Sequence, residues 1–359
     1  MVEKIHWDDI SIAPAPITYV DSRTQVNIDI EGGIPLIASP MDTVVDLDNA
    51  SKFIDEGYIV CLPRTIQDIP REFWKKCFIS VGISEIKHYI TTDEEIPDNV
   101  LIDVANGHMY SVVQLAKQFI EKYPNKRLMV GNIAHPETYK EYANIGVWGV
   151  RCSVGTGSAC TTSANSAIHY APASLINEIY EISKGFNNPP KIIADGGFRD
   201  YATIIKALAV GADYVMLGGV LNKSLESSGK CFIRTEKINE TVGTNELIIS
   251  KNPNLTNGFE QISNKEAEEY FMEGGQVYKY FRGMSTKEVQ RDWKKDKLTT
   301  SEGISKLNKV EYTLSGWTEN FKDYLKSAMS YTGKTSLREF RGNVQITRIS
   351  QNTFKAFNK

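Results

Sequence analysis

The sequence has few cysteines, and none of them is spaced like a disulfide framework or a metal site. There are 5 in 359 residues, an odd number, and no two form a CxxC pair. Histidine is equally scarce, with 5 residues and no cluster. Structural zinc sites and small disulfide-stabilised domains need denser and more regular spacing. We therefore expect free thiols in a reducing compartment, the cytoplasm, and no zinc site.

Long apolar runs and a strong net charge are also missing. The longest apolar runs are about eight residues, whereas a membrane-spanning helix needs roughly 20. The net charge of −3 gives no electrostatic reason to bind nucleic acid or a membrane surface. The opening MVEKIHWDDI has no apolar stretch, so we expect no signal peptide. The expected partners are therefore small molecules, with neither nucleic acid nor a membrane among them.

What the sequence does contain is a series of short apolar, β-rich segments at fairly regular intervals. Helical patterns lie between them, as at 111–123 and 201–211. Continuous apolar strands that alternate with helices are typical of a parallel sheet, either doubly wound or closed. The count of eight favours a closed (β/α)8 TIM barrel of the α/β class, and the absence of a GxGxxG motif argues against a dinucleotide-type open sheet. The segments are 35–41, 57–63, 76–82, 99–105, 127–133, 147–154, 190–197 and 212–219.

The pattern changes after residue 220. Residues 221–310 are polar and charged, and we interpret them as an excursion from the barrel rim, a hairpin followed by a mobile flap. The stretch 317–333 has apolar residues at helical spacing and predicts a closing helix that ends at Gly333. No linker or repeat marks an independent second unit. The prediction is therefore a single barrel domain over residues 1–359.

The strongest local motif is SVGTGSACTT, residues 153–162, which follows the sixth apolar segment. Active sites of such barrels lie where the strands end. Closely spaced glycines let the backbone turn tightly against a ligand, and backbone amides aimed at a thiol favour the thiolate. Cys160 is therefore a candidate nucleophile, and Ser158 is a candidate donor to a phosphate. The alternative is a flexible loop with an incidental cysteine.

Two glycine doublets end the seventh and eighth segments, in ADGG at 194–197 and LGG at 217–219. Loops after these two strands commonly bind phosphate in barrels, because glycine amides can surround an anion. Asp195, which directly precedes the first doublet, is placed to hold two ribose hydroxyls. The alternative is that the glycines merely end their strands. The candidate substrate-binding residues here are Asp195, Gly196, Gly197, Gly218 and Gly219.

Three weaker motifs complete the candidate site. The turn in FRGMS, 281–285, could close over a base, and the glutamate of SEG, 301–303, could act as an acid or base, although surface glutamates are usually solvated. The candidate substrate-binding residues of these two motifs are Gly283, Met284, Ser285, Ser301 and Gly303. The end of the fourth segment could position a cofactor or could simply cap the next helix. The candidate cofactor-binding residues are Asp103, Ala105, Asn106, Gly107 and, from the fifth segment, Asn132.

Together these motifs resemble the IMP dehydrogenase / GMP reductase family. The resemblance covers nearly the whole chain, through DDISIAP, ASPMDTV, IDVANGH, VGNI, GTGSACTT, ADGG, YVMLGG and FRGMS. Members of the dehydrogenase branch usually carry a regulatory tandem (CBS) domain after the second strand, and only a short helix-sized segment stands there in this chain. The missing CBS insertion and the SEG motif make the chain closest to the GMP reductase branch.

The resemblance implies NADPH-dependent reductive deamination of a purine nucleoside monophosphate through a covalent Cys160 adduct at C2 of the base. The substrate would be GMP, or a close analogue such as a deoxy or modified form, and the product would be IMP. The resemblance also implies a homotetramer. Two alternatives stay open, an IMP dehydrogenase without the regulatory domain and a catalytically inactive nucleotide-binding homologue.

The resemblance further assigns roles to individual positions. It implies that Thr162 and Glu302 handle protons together in catalysis. It places Arg64 where reductases usually have a lysine, so the charge is kept but a proton is harder to release. It also implies a monovalent cation, potassium, held by carbonyl groups of Gly155, Gly157 and Cys160.

Overall fold

A closed barrel of eight parallel strands forms the centre of the protein. The computed structural model describes residues 3–235, 246–248, 258–286, 289, 291 and 303–357. After a short strand β1 (Ile10–Ile12), the barrel strands follow in chain order as β2 (Leu36–Ala38), β3 (Ile59–Leu62), β4 (Cys77–Val81), β5 (Asn99–Asp103), β6 (Arg127–Ile133), β7 (Gly149–Cys152), β8 (Lys191–Asp195) and β9 (Tyr214–Leu217). The barrel closes where β9 pairs with β2. Each strand lies within one of the eight apolar segments, so the (β/α)8 prediction is confirmed.

An α-helix follows each barrel strand except β3, after which a 3-10 helix (Arg71–Phe73) leads to β4. The α-helices are α1 (Ala50–Asp55), α2 (Ile83–Thr91), α3 (Tyr110–Lys122), α4 (Pro136–Ile145), α5 (Thr162–Ser166), α6 (Pro172–Ser183), α7 (Tyr201–Val210) and α8 (Gly219–Asn222). Helix α3 shows why the periodicity predicts them, since Val112, Leu115, Ala116 and Phe119 are buried at helical spacing against the barrel. The helices predicted over 111–123 and 201–211 are confirmed to within one residue at each end.

Apolar side chains fill the inside of the barrel. The inward set is Ile37, Cys61, Phe78, Leu101, Met129, Ile193, Tyr214 and Met216. At the end where the strands begin, the rings of Phe78, Trp148 and Tyr214 pack against one another, with centroids 4.9 and 5.9 Å apart. The guanidinium of Arg127 lies over the first two rings and pairs with Glu31 at 3.6 Å. This aromatic plug, Phe78, Trp148 and Tyr214, fills the lower end of the barrel.

The excursion after the barrel contains more strands than the predicted hairpin. Its described part holds β10 (Cys231–Arg234), β11 (Glu246–Ile248), β12 (Phe259–Ile262), helix α9 (Asn264–Met272), β13 (Val277–Arg282) and β14 (Ser305–Lys309). These strands form one antiparallel sheet in the order β11-β14-β13-β10-β12. Strand β13 alternates buried and half-buried residues, a pattern that a polar composition hides. The predicted flap lies partly outside the described residues, and its mobility stays a prediction.

Two contacts fix this sheet to the barrel rim. Arg282, the last residue of β13, pairs with Asp42 just after β2, with Nη2 2.5 Å from Oδ2. The buried amide of Asn222 donates to the carbonyl oxygens of Thr43, at 2.7 Å, and Tyr280, at 3.0 Å. The sheet therefore stands beside the carboxyl ends of the strands, where the candidate site is expected.

The chain ends with α10 (Leu314–Tyr331), α11 (Leu337–Phe340), β15 (Ile346–Arg348) and α12 (Gln351–Phe357). Helix α10 is the predicted closing helix, and it begins three residues earlier than predicted because Thr313 caps it by accepting from the Gly316 amide. Strand β15 pairs with β1. Within the described residues, no helix is both long and apolar enough to cross a membrane.

Candidate active site

A pocket of about 620 Å³ opens at the carboxyl ends of the barrel strands. Its walls come from the loops after the strands and from the end of β13, which is where a TIM barrel places its site. Most of the residues predicted from sequence line it, namely Arg64, Asp103, Ala105, Asn132, Gly155, Gly157, Ser158, Cys160, Thr162, Asp195, Gly196, Gly197, Gly218, Gly219, Gly283, Met284 and Ser285. The fold thus brings these residues from seven separate segments of the chain to one cavity.

Five predicted residues are not among the described residues that line these walls. Asn106 and Gly107 lie just beyond the lining, where the Gly107 amide donates to the carbonyl oxygen of Asn132 at 2.8 Å. Gly303 pairs with the cysteine loop by its backbone. The other two, Ser301 and Glu302, lie outside the described residues.

Cys160 is half-buried at the pocket wall, and its thiol donates to the Thr162 hydroxyl at 3.3 Å. The other four cysteines are buried. Burial raises the pKa of Cys77 to about 12 and also raises the pKa of Cys61 and Cys152, which keeps these thiols protonated. Cys160 is therefore the one cysteine of the described chain that combines access to the pocket with a neighbouring hydroxyl.

The cysteine loop, residues 153–162, folds back on itself and on the next strand. The Ser163 hydroxyl donates to the carbonyl oxygen of Gly155 at 2.8 Å, and the Cys160 amide donates to that of Gly157 at 2.9 Å. The Thr156 hydroxyl donates to the carbonyl oxygen of Asp195, at the end of β8, at 3.1 Å. These bonds hold the loop in one conformation, so the thiol is positioned before any ligand binds.

Glycine is required where the cysteine loop meets the ends of β8 and β9. A Cβ on Gly196 would stand 2.7 Å from Oγ1 of Thr156, and one on Gly219 would stand 2.9 Å from Oγ of Ser158. Both distances are below van der Waals contact, so only glycine permits this approach. The Ser158 hydroxyl is thereby brought beside the second glycine doublet, as a phosphate site would need.

Sequence reasoning missed Arg151, which lies at the centre of the site. It occupies an inward position of β7 in VWGVRCSV, where its neighbours Val150 and Cys152 pack outward. Its guanidinium donates to Oδ1 of Asp103 at 2.5 Å and to Oδ2 of Asp195 at 2.9 Å. A charged residue inside an otherwise apolar strand is the signal that could have identified it.

Arg151 stays charged despite its burial. Burial alone lowers the pKa of this guanidinium, but the carboxylates of Asp195 and Asp103 outweigh that effect and raise the pKa above its ordinary value. The adjacent strand makes room for it, because a Cβ on Gly131 would collide with that of Arg151. The amide of Asn132 adds a bond to Oδ2 of Asp195 at 2.6 Å. Four residues, one from each of the neighbouring strands β5, β6, β7 and β8, thus form one polar network.

Arg64 lies at the edge of this network. Its Nη1 is 3.5 Å from the carbonyl oxygen of Asp103, and its Nη2 is 3.9 Å from Oε1 of Glu85. The charge expected from a lysine at this position is therefore present in the pocket wall. Part of the Arg64 guanidinium is directed at the backbone of β5, and part is directed at Glu85 in α2.

The end of the excursion reaches the nucleophile through backbone contacts. Gly303 forms a β-bridge with Cys160, and the amide of Ile304 donates to the carbonyl oxygen of Ala159 at 3.0 Å. The Gly283 amide donates to the carbonyl oxygen of Ile304 at 3.1 Å, and a Cβ on Gly283 would lie 2.7 Å from the oxygen of Ala159. The cysteine loop is therefore packed between the two ends of the flap.

A histidine joins the two loops on the Asp103 side. Nε2 of His108 accepts from the Ala134 amide at 2.9 Å, so the proton lies on Nδ1, which faces the Thr138 hydroxyl at 2.8 Å. Burial and the nearby His135 lower the pKa of His108 from its ordinary 6.5, because both disfavour the charged ring. Protonation of Nε2 would break the bond to the Ala134 amide.

We expect this contact to make stability depend on pH. The stabilisation by neutral His108 is present above its ordinary pKa and is lost as the pH falls below it. The melting temperature of the wild type should exceed that of His108→Ala by about 1 °C at about pH 7.5 and by less at about pH 5.5. The exposed His169→Ala variant is the control. A difference that grows on acidification would contradict the role of the neutral ring.

Comparisons with known proteins agree with this architecture. The model of the IMP dehydrogenase / GMP reductase domain matches residues 77–268 and 259–357, which include the cysteine loop and both glycine doublets. A GMP reductase of Streptococcus agalactiae serotype Ia is 29% identical over 238 residues, which cover 62% of this chain and 72% of that protein. A GMP reductase of Streptococcus pyogenes serotype M28 gives the same identity and the same two coverages.

Proposed function

Because the chain belongs to the IMP dehydrogenase / GMP reductase family, we propose that this oxidoreductase catalyses the NADPH-dependent reductive deamination of a purine nucleoside monophosphate. GMP or a close analogue, such as a deoxy or modified form, is converted to IMP. The observation that carries the proposal is the position of Cys160, an accessible thiol on a loop fixed between the glycine doublets and the polar network around Arg151.

The nucleotide lies along the cysteine loop. Ser158 and the amides of Gly197 and Gly219 bind the phosphate, and Asp195 accepts bonds from the sugar hydroxyls. Met284 and Ser285 cover the base, which places C2 near the thiol. The supporting observation is that these residues line the same pocket as Cys160.

The chemistry starts with attack of the Cys160 thiolate on C2 of the base. The C2–N bond breaks and ammonia leaves, with protons supplied through Thr162 and Glu302, so that a C2–S bond remains. Bound NADPH supplies the hydride that ends on C2. The C–S bond then breaks, the thiolate is regenerated and IMP is released. The thiol-to-hydroxyl distance of 3.3 Å supports the role of Thr162.

The assignment of Glu302 rests on chain connectivity. Glu302 lies outside the described residues, but it directly precedes Gly303, the residue whose backbone pairs with Cys160. A general acid that protonates the leaving amine must come within hydrogen-bond reach of it. The anchoring of Gly303 beside the nucleophile supports such a position for the preceding residue.

A second group of residues that line the pocket fits a nicotinamide dinucleotide. Asp103, Ala105 and Asn132 line the same pocket, with Asn106 and Gly107 just beyond them. A carboxylate is a suitable acceptor for ribose hydroxyls, and a side-chain amide can pair with a carboxamide. These residues would hold NADPH, which would supply a hydride, and Arg64 adds a positive charge nearby.

The potassium prediction fits the loop less well. The carbonyl oxygens of Gly155 and Gly157 each accept a hydrogen bond from within the loop itself. A cation site needs several carbonyl oxygens directed at one point. We therefore assign no step to potassium, and the cation stays a prediction, as do the homotetramer and the cytoplasmic location.

The function is tested by incubating the purified protein with each of two mixtures of a nucleotide and a dinucleotide. With GMP plus NADPH, the NADPH absorbance band should decay and IMP and ammonia should appear in equal amounts. With IMP plus NAD, no NADH should form. Formation of NADH in the second mixture would instead identify an IMP dehydrogenase without the regulatory domain. Nucleotide binding without turnover in either mixture would identify an inactive homologue.

The phosphate site gives a separate prediction. In Gly219→Ala, the new methyl group would press on the Ser158 hydroxyl, 2.9 Å away. We expect KM for the nucleotide to rise about 10-fold, equivalent to roughly 1.4 kcal/mol, while KM for NADPH changes little. Gly185→Ala is the matched control, since its nearest neighbour is an oxygen at 3.4 Å. An unchanged nucleotide KM in Gly219→Ala would contradict this placement of the phosphate.

A further inference from the structure

Arg151 contacts two carboxylates that the proposed function assigns to different ligands. One end of its guanidinium contacts Asp103, on the dinucleotide side of the proposed site, and the other end contacts Asp195, on the nucleotide side. The side chains of Arg151, Asp103 and Asp195 are 8%, 16% and 15% exposed. All three are thus largely withdrawn from water, where charge interactions are weakly screened.

We propose that Arg151 is a positioning residue that couples nucleotide binding to dinucleotide binding. The proposal rests on the proposed function, because it takes Asp195 as the sugar-binding carboxylate and Asp103 as the dinucleotide-binding one. Arg151 need not touch either ligand for this role. It acts by fixing the two carboxylates relative to each other.

The coupling follows from the planar shape of the guanidinium. Nη1 and Nη2 belong to one rigid group, so a rotation that adjusts one carboxylate contact moves the other. A sugar that donates hydroxyls to Asp195 fixes that carboxylate and therefore the guanidinium plane. Asp103 is then already held in place when the second ligand arrives, so less conformational freedom remains to be lost. Each ligand should consequently tighten the binding of the other by the same factor.

The residues around Arg151 favour a joint movement of its guanidinium and the two carboxylates. Gly131 leaves no side chain between β6 and the stem of Arg151, so the two strands are in close contact there. The Asn132 amide donates both to Asp195, at 2.6 Å, and to the carbonyl oxygen of Ser153, at 3.1 Å. The network therefore extends from the dinucleotide side to the first residue of the cysteine loop.

The test measures binding rather than turnover. IMP and NADPH together do not react, because IMP is the nucleotide product and NADPH the reduced dinucleotide. The Kd of NADPH is measured by its fluorescence without and with saturating IMP, and the Kd of IMP without and with NADPH. For the wild type we expect each ligand to lower the other Kd by a factor on the order of 10.

The decisive variant is Arg151→Lys, which keeps the charge but has a single ammonium in place of the two-ended fork. We expect its coupling factor to fall below about 2 while each ligand alone still binds. Arg127→Lys is the matched control, an arginine-to-lysine change at the opposite end of the barrel, and it should keep the wild-type factor. A wild-type factor in Arg151→Lys would overturn the proposal, and so would a wild type without coupling.

A second variant covers the case in which Arg151→Lys does not fold. Asp103→Asn preserves the shape of the side chain and removes one of the two charges that the guanidinium joins. The coupling factor should again fall below about 2, and retention of the wild-type factor would overturn the proposal. Failure of the proposed function is recognised separately, because the wild type would then not oxidise NADPH in the presence of GMP, whatever the coupling factor.

Discussion

Cys160→Ala should reduce kcat by at least about 10³-fold, the largest effect expected for any single substitution in the pocket. The proposed chemistry requires a covalent bond between sulfur and C2, and no neighbouring hydroxyl replaces a thiolate as a nucleophile at neutral pH. Binding of the nucleotide should change by only a few-fold, because the loop is held by its own hydrogen bonds. The rate of NADPH oxidation and the Kd of the nucleotide are the two measurements.

The matched control is Cys77→Ala, which removes a thiol buried in barrel strand β4. It should leave kcat within about 2-fold of the wild-type value and reduce the free energy of unfolding by about 1 kcal/mol. Turnover in Cys160→Ala above one tenth of the wild-type rate would contradict the nucleophilic role. In that case Cys160 would be a binding residue, and the chemistry would have to be assigned elsewhere.

The second large effect concerns stability. Arg151→Met should reduce the free energy of unfolding by about 3 kcal/mol, because it leaves two largely buried carboxylates facing each other without a cation. Methionine roughly preserves the volume of the side-chain stem, so loss of packing contributes little. Urea unfolding followed by circular dichroism gives the free energy directly, provided that the transition is reversible and two-state.

Lys191→Met tests whether burial is the cause of the large stability loss expected for Arg151→Met. Lys191 pairs with Glu31 at 3.0 Å at the opposite end of the barrel, where the two side chains are 30% and 36% exposed. Exposed pairs contribute little, so the loss there should stay below about 1 kcal/mol. Equal losses in the two variants would show that the Asp103–Arg151–Asp195 contacts are no more valuable than a surface ion pair.

Much of the barrel could be predicted from sequence because its strands are buried on both faces. Such strands appear as continuous apolar runs, and the regular succession of strand and helix then fixes the closure of the barrel. The excursion could not be predicted as well. Strand β13 contains YKYFR, in which Lys279 is fully buried and donates to the carbonyl oxygen of Ser227. A strand that carries charged residues even at buried positions has the same composition as a loop, so composition does not reveal it.

The candidate site could be predicted where its residues stand in a motif and not where they act through partners distant in sequence. Cys160 and the glycine doublets belong to short motifs at strand ends, where barrels place their chemistry. Arg151 contacts carboxylates 48 and 44 residues away, and only the side-by-side pairing of strands β5 to β8 brings them together. The Arg151 side chain points inward because side chains alternate between the two faces of β7. A strand of four residues is too short to show this alternation clearly in the sequence.

The aromatic plug at the lower end of the barrel has a consequence for the movement of reactants. Phe78, Trp148 and Tyr214 close the end remote from the pocket, with Arg127 stacked over two of the rings. Any ligand of the pocket therefore enters and leaves through the rim, beside Gly283 and Gly303. Both ligands of the proposed reaction would then share one entrance to the pocket.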